Sequence, residues 1–123
     1  MDANLAAALI GKFIEKFPHC GLLPKNYFCQ LVKLPTSISP SGCCISLSTD
    51  GVGTKILLGI ETGLYDGLGH DLVAMIYNDL ITSGSVPFAF LDYYATGKIE
   101  PMVYNKIISS IVKACRACRM PLL

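Results

Sequence analysis

The sequence predicts a domain of mixed helix and strand, in which three helices alternate loosely with four or five short strands. Apolar residues recur at helical spacing over 3–17, 68–83 and 101–118. Short apolar runs bounded by turn residues fall between them, at 28–34, 43–48, 55–60 and 86–95. The chain has 123 residues, 52% hydrophobic and only 15% charged, a composition that builds one packed domain and excludes a disordered one. So much apolar sequence in so short a chain predicts an oligomer or a partner domain.

The first helix takes Asp2 as its N-cap and presents Leu5, Leu9, Ile10, Phe13, Ile14 and Phe17 on one face, until Pro18 stops it. Residues 18–42 are punctuated by four prolines and two glycines and read as loop, with one short strand near 28–34. A strand at 43–48, a turn at 50–55 and a second strand at about 55–60 would make a hairpin. The second helix buries Leu68, Leu72, Val73, Ile76 and Leu80, and Gly84 closes it. On its other side Asp71 and Asn78 stand one above the other, with Asp79 beside them. The run 86–95 is apolar on both faces, so it reads as a strand inside a sheet or at an interface. Asp92 interrupts it, and a carboxylate there must be paired, coordinated or at an open edge. Pro101 opens the third helix, with Val103, Ile107, Ile108, Ile111, Val112 and Cys115 as its stripe.

The six cysteines are expected to be reduced thiols, mostly buried. Cys43 and Cys44 would face opposite sides of a strand, and Cys115-Arg116-Ala117-Cys118 has no second pair at zinc-finger spacing. A net charge of +1 with no basic run argues against nucleic acid. No apolar stretch is long enough to cross a bilayer, and the N-terminus lacks the basic start of a secretory signal. A cytoplasmic, soluble protein is expected.

The chemistry concentrates in Ser48-Thr49-Asp50-Gly51-Val52-Gly53-Thr54-Lys55. Glycines let backbone N–H groups approach an anion, Lys55 adds positive charge, and Asp50 and Thr54 supply the hard oxygens that Mg²⁺ prefers. The spacing matches neither the Walker A loop nor the dinucleotide-binding glycine pattern. A glycine-rich turn between two strands has the same composition.

Three blocks in order resemble phosphoribosylformylglycinamidine cyclo-ligases: 48–55, then Gly69-His70-Asp71-Leu72-Val73-Ala74-Met75 with Asn78-Asp79-Leu80, then Phe90-Leu91-Asp92-Tyr93-Tyr94-Ala95-Thr96-Gly97-Lys98. The resemblance implies the family's amino-terminal domain, an α+β unit with a mixed or antiparallel sheet, helices packed on one face, and sheets pairing between two copies. It implies ATP-dependent closure of the imidazole ring of formylglycinamidine ribonucleotide in purine biosynthesis, with ATP and Mg²⁺ as cofactors. Carried over by position, Asp50 contacts magnesium and phosphate, Gly51, Gly53 and Thr54 shape the loop, and Lys55 neutralises phosphate. Asn78 and Asp79 join Asp50 as metal ligands, while Asp71, Asp92 and Lys98 line the nucleotide site.

The chain departs from the family in three places. It begins at the first helix, reads Cys20-Gly21-Leu22-Leu23-Pro24-Lys25 where a glycine-rich stretch is expected, and ends before the family's second α/β domain. It therefore reads as residues 1–123 of a truncated unit for ATP binding and dimerisation. The rival reading is a non-catalytic dimerisation or nucleotide-binding module. A related kinase of the same superfamily is a third, which the 90–98 block disfavours.

Overall fold

The computed structural model describes residues 2–14, 21–22 and 28–123. The chain divides into two compact units, one holding 1–25 and 30–45, the other 26–29 and 46–123. In the first unit α1 (Ala3–Ile14) starts as predicted. Asp2 Oδ1 accepts the Asn4 N–H at 3.0 Å, and the Asp2 carbonyl accepts the Ala6 N–H at 3.0 Å. Leu5 and Leu9, expected to be buried, are exposed. The end of that predicted helix, 15–17, and His19 lie outside the described residues.

A three-stranded sheet has the order β1 (Gly21–Leu22), β2 (Gln30–Lys33), β3 (Cys44–Leu47). β1 pairs antiparallel with β2, Gly21 opposite Lys33 and Leu22 opposite Val32. The strands near 28–34 and 43–48 are thus present, while β1 lies in what reads as loop. The fold is α+β.

The second unit holds α2 (Lys55–Thr62), α3 (Leu68–Ile81) and α4 (Pro101–Ala117). Here one expectation is corrected. Residues 55–60 are the body of α2 rather than a strand, so no hairpin forms with 43–48. A short apolar run has no periodicity to separate the two states. Gly59 is buried and Ile56 half-buried on one side, while Leu57, Leu58 and Ile60 are exposed, so the run does not alternate as a strand does. Gly63 ends α2 in the left-handed region at φ 69°.

The core of this unit is the packing of α3 on α4. Val73, Ile107, Ile111, Ala114 and Cys115 are buried together with Phe90 and Met120. Gly69 makes the approach possible: a β-carbon there would lie 2.6 Å from the Ile107 carbonyl oxygen and 2.6 Å from the Ile111 nitrogen. The same junction replaces a missing helix cap. Gly67, the N-cap of α3, has no side chain to offer, and the buried Ser110 Oγ of α4 accepts the His70 N–H at 3.0 Å.

Residues 86–95 are the second correction. No strand forms there, because among the described residues only Phe90 finds a bridge partner, in a parallel bridge to Leu122. Phe90 N–H donates to the Pro121 carbonyl at 3.0 Å, and Leu123 N–H donates to the Phe90 carbonyl at 2.9 Å. Phe90 is buried, but Val86, Phe88, Leu91 and Tyr93 are exposed. Tyr94 turns inward and meets Tyr104 edge-on, ring centres 5.2 Å apart.

Candidate functional site

The segment 48–55 is fastened to α3 at both ends. At its start Ser48 Oγ donates to Asp79 Oδ2 at 3.1 Å. At its end Lys55 Nζ lies 2.7 Å from Asp71 Oδ2. Asp71 and Asp79 are eight residues apart, about 12 Å along the helix axis, so the loop runs antiparallel beside α3. Asp50 follows Ser48 by two residues, at most about 7 Å of extended chain. That places its backbone near the Asn78–Asp79 end of α3.

Within the loop, Asp50 Oδ1 accepts the Gly51 N–H at 2.7 Å, a local bend that fixes the carboxylate against its own backbone. Gly53 takes φ 58°, a region that suits glycine. The chain then tightens into α2: the N–H groups of Lys55, Ile56 and Leu57 donate to the carbonyls of Val52, Gly53 and Thr54, each three residues back. Thr54, the N-cap, makes no side-chain cap hydrogen bond. Among the described residues the N–H groups of Val52, Gly53 and Thr54 have no acceptor. Three successive amides with Lys55 beside them suit an anion.

The donor set fits magnesium carried by a polyphosphate. Among the described residues no three carboxylate, histidine or cysteine side chains gather as a closed metal cage. Magnesium needs none, since it is held by one or two carboxylates plus phosphate oxygens and keeps several waters. Asp50 is exposed, Asn78 is exposed and Asp79 half-buried, so their oxygens remain open to such an ion. A cleft of about 260 Å³ adjoins the loop's far end, walled by Leu58, Gly59, Leu64 and Leu68, with Lys55 and Asp71 also lining it.

Asp92 and Lys98 take no part in these loop–α3 side-chain pairs. Neither forms an ion pair among the described residues. Asp92 is half-buried and acts electrostatically on Cys115. That thiol is pushed up first by burial, then by Cys118 and by the Asp92 charge. Lys98 is exposed, and its N–H and carbonyl both bond to Thr96 Oγ1, at 3.4 and 2.9 Å. His70 is exposed and enters only through its backbone. Two residues the motif reading leaves without a role, Ser48 and Ser110, prove to hold the two ends of α3. Ser48 was visible as the hydroxyl just before Thr-Asp-Gly, whereas Ser110 carries no local signal.

A family model described as AIR synthase related protein, N-terminal domain, matches residues 29–123. The chain belongs to this family. The match includes the whole of 48–55, α3 and 90–98 in this AIR synthase related domain. Two curated relatives are named phosphoribosylformylglycinamidine cyclo-ligase. The protein from Vigna unguiculata, chloroplastic/mitochondrial by name, is 53% identical over 68 residues, 55% of this chain and 18% of its own length. The chloroplastic protein from Arabidopsis thaliana is 52% identical over 75 residues, 61% of this chain and 19% of its own length. The matched stretch thus spans about a fifth of these relatives.

Proposed function

We propose that this domain carries the magnesium-nucleotide face of a cyclo-ligase that closes formylglycinamidine ribonucleotide to aminoimidazole ribonucleotide at the expense of ATP, a step of purine biosynthesis. The carrying observation is the double fastening of 48–55 to α3, with Asp50, Lys55 and three amides that have no acceptor among the described residues between or beside the anchors. Bound Mg·ATP would supply the phosphoryl group that converts a poor amide-oxygen leaving group into a good one. The chain's own residues do the holding. The loop amides and Lys55 meet phosphate charge, while Asp50, with Asn78 and Asp79 at the neighbouring end of α3, offers oxygens to the ion. Catalysis of this kind is mostly positioning and charge neutralisation. The whole reaction is proposed for the family protein, and this chain's share of it is the nucleotide grip.

Isothermal titration with Mg·ATP tests the grip. Binding that Asp50→Ala weakens supports it, and binding unaffected by that change removes it.

A second reading, a dimerising module, is favoured by one observation. Val86 is 84% and Tyr93 90% exposed, on a segment whose backbone is bridged only at Phe90 among the described residues. A homodimer that pairs this segment across two copies would cover those side chains and complete the ladder. Sedimentation of the chain, with and without Tyr93→Glu, checks that surface separately from nucleotide binding.

No described helix is long and apolar enough to cross a membrane. Among the described residues Cys29, Cys43, Cys44, Cys115 and Cys118 form no disulfide, which fits a reducing compartment, although only Cys115 of these is buried, against the expectation of mostly buried thiols. A cytoplasmic location is proposed on that ground, and the interior of an organelle, as in the relatives' names, meets the same condition.

A further inference from the structure

We propose that Ser48 is a positioning residue for Asp79, and that it sets the magnesium requirement of the nucleotide site. The inference rests on the reading of 48–55 as that site. Ser48 and Asp79 are separated by 31 positions, and their 3.1 Å hydrogen bond is part-buried. Ser48 immediately follows β3, and Asp79 sits in the last turn of α3.

A carboxylate on a helix surface rotates about two side-chain bonds and offers either oxygen. Donation from Ser48 Oγ engages Oδ2, while Oδ1 accepts no hydrogen bond from the described residues. One oxygen is thereby fixed and the other presented as a single-point donor, the mode in which magnesium takes carboxylates with little reorganisation. The tie also acts on Asp50. Ser48 lies two residues before it, so the bond that orients Asp79 also holds the backbone carrying the other carboxylate. A residue that bonds to a metal-binding carboxylate fixes its orientation, and losing it characteristically costs metal affinity rather than fold. The neighbouring Lys55–Asp71 pair cannot substitute, since it fastens the loop's opposite end.

The test is the magnesium dependence of ATP binding by the full chain, with ATP titrated at a series of fixed free Mg²⁺ concentrations. For Ser48→Ala the Mg²⁺ needed for half-maximal binding rises roughly tenfold, the lower end for such orienting partners, and saturating Mg²⁺ restores binding. Ser48→Thr, which keeps the hydroxyl, returns the midpoint to that of the unaltered chain. An unchanged midpoint in Ser48→Ala overturns the proposal. So does a loss of binding at every Mg²⁺ concentration, which would mark a merely structural tie. If the unaltered chain binds no ATP at any Mg²⁺ concentration, the nucleotide-site reading itself fails and this role falls with it.

Discussion

Lys55 Nζ and Asp71 Oδ2 stand 2.7 Å apart across the junction of α2 and α3, joining the last residue of the glycine loop to the first turn of the next helix. Asp71 is where the dipole of α3 favours an acid, and it gives the lysine a resting partner. The side chains are 50% and 38% exposed, so the pair adds little to stability. Its consequence is local: the lysine's charge is held beside the loop amides.

Lys55→Ala and Asp71→Asn are therefore expected to lower unfolding free energy by no more than about 1 kcal/mol each. Lys55→Ala should weaken Mg·ATP binding by about tenfold, the loss of one charge-assisted contact of roughly 1.5 kcal/mol. Asp71→Asn should weaken it less. Denaturant unfolding and calorimetry on the same variants check both parts.

Gly69→Ala should be far more damaging than its size suggests. The added carbon would sit 2.6 Å from two backbone atoms of α4, which cannot rotate away. Separating α3 from α4 should cost about 3 kcal/mol or more, at or above the upper end for overpacking. The transition midpoint in urea reports it.

Arg119→Gly is expected to stabilise. Arg119 has φ 56°, just past the end of α4, where Met120 N–H donates to the Cys115 carbonyl at 2.9 Å in the manner of a glycine-terminated helix. Removing the β-carbon strain of roughly 1–2 kcal/mol outweighs the roughly 0.5–1 kcal/mol of entropy that glycine adds to the unfolded chain. Thermal unfolding should shift upward by a degree or more, on the order of a few tenths of a kcal/mol for a domain of this size.

Cys115 gives a pH dependence with a definite sign. Burial raises its thiol above the ordinary 9.0, so the folded state favours the neutral form. Its contribution is complete below pH 9.0 and is lost as pH rises through the higher folded value. Above about pH 9, stability should fall less steeply in Cys115→Ala than in the unaltered chain, measured by urea unfolding at each pH.

What the sequence discloses here follows from how local each feature is. α3 and α4 are legible because Val73, Leu80, Ile107 and Ile111 repeat at helical spacing and do become core. α2 is not, because its eight residues bury little beyond Gly59 and its exposed leucines imitate a strand's apolar run. Residues 86–95 carry strand composition but are bridged at Phe90 alone among the described residues, and composition cannot supply further partners. The same division runs through the site. The Asp50-Gly51-Val52-Gly53-Thr54-Lys55 chemistry is contiguous and so can be read directly. Its fastening to α3 joins Ser48 with Asp79 and Lys55 with Asp71, contacts made only once α3 lies alongside the loop.

The central claim is that one metal-bound nucleotide is shared by the loop and by the Asn78–Asp79 end of α3. Paramagnetic broadening of amide NMR signals by Mn²⁺ in the presence of ATP tests it most directly. The account predicts that the Gly51, Gly53, Asn78 and Asp79 signals broaden together, and that Asp50→Ala abolishes the effect at all four. Broadening confined to one of the two stretches, or appearing elsewhere on the chain, would contradict it.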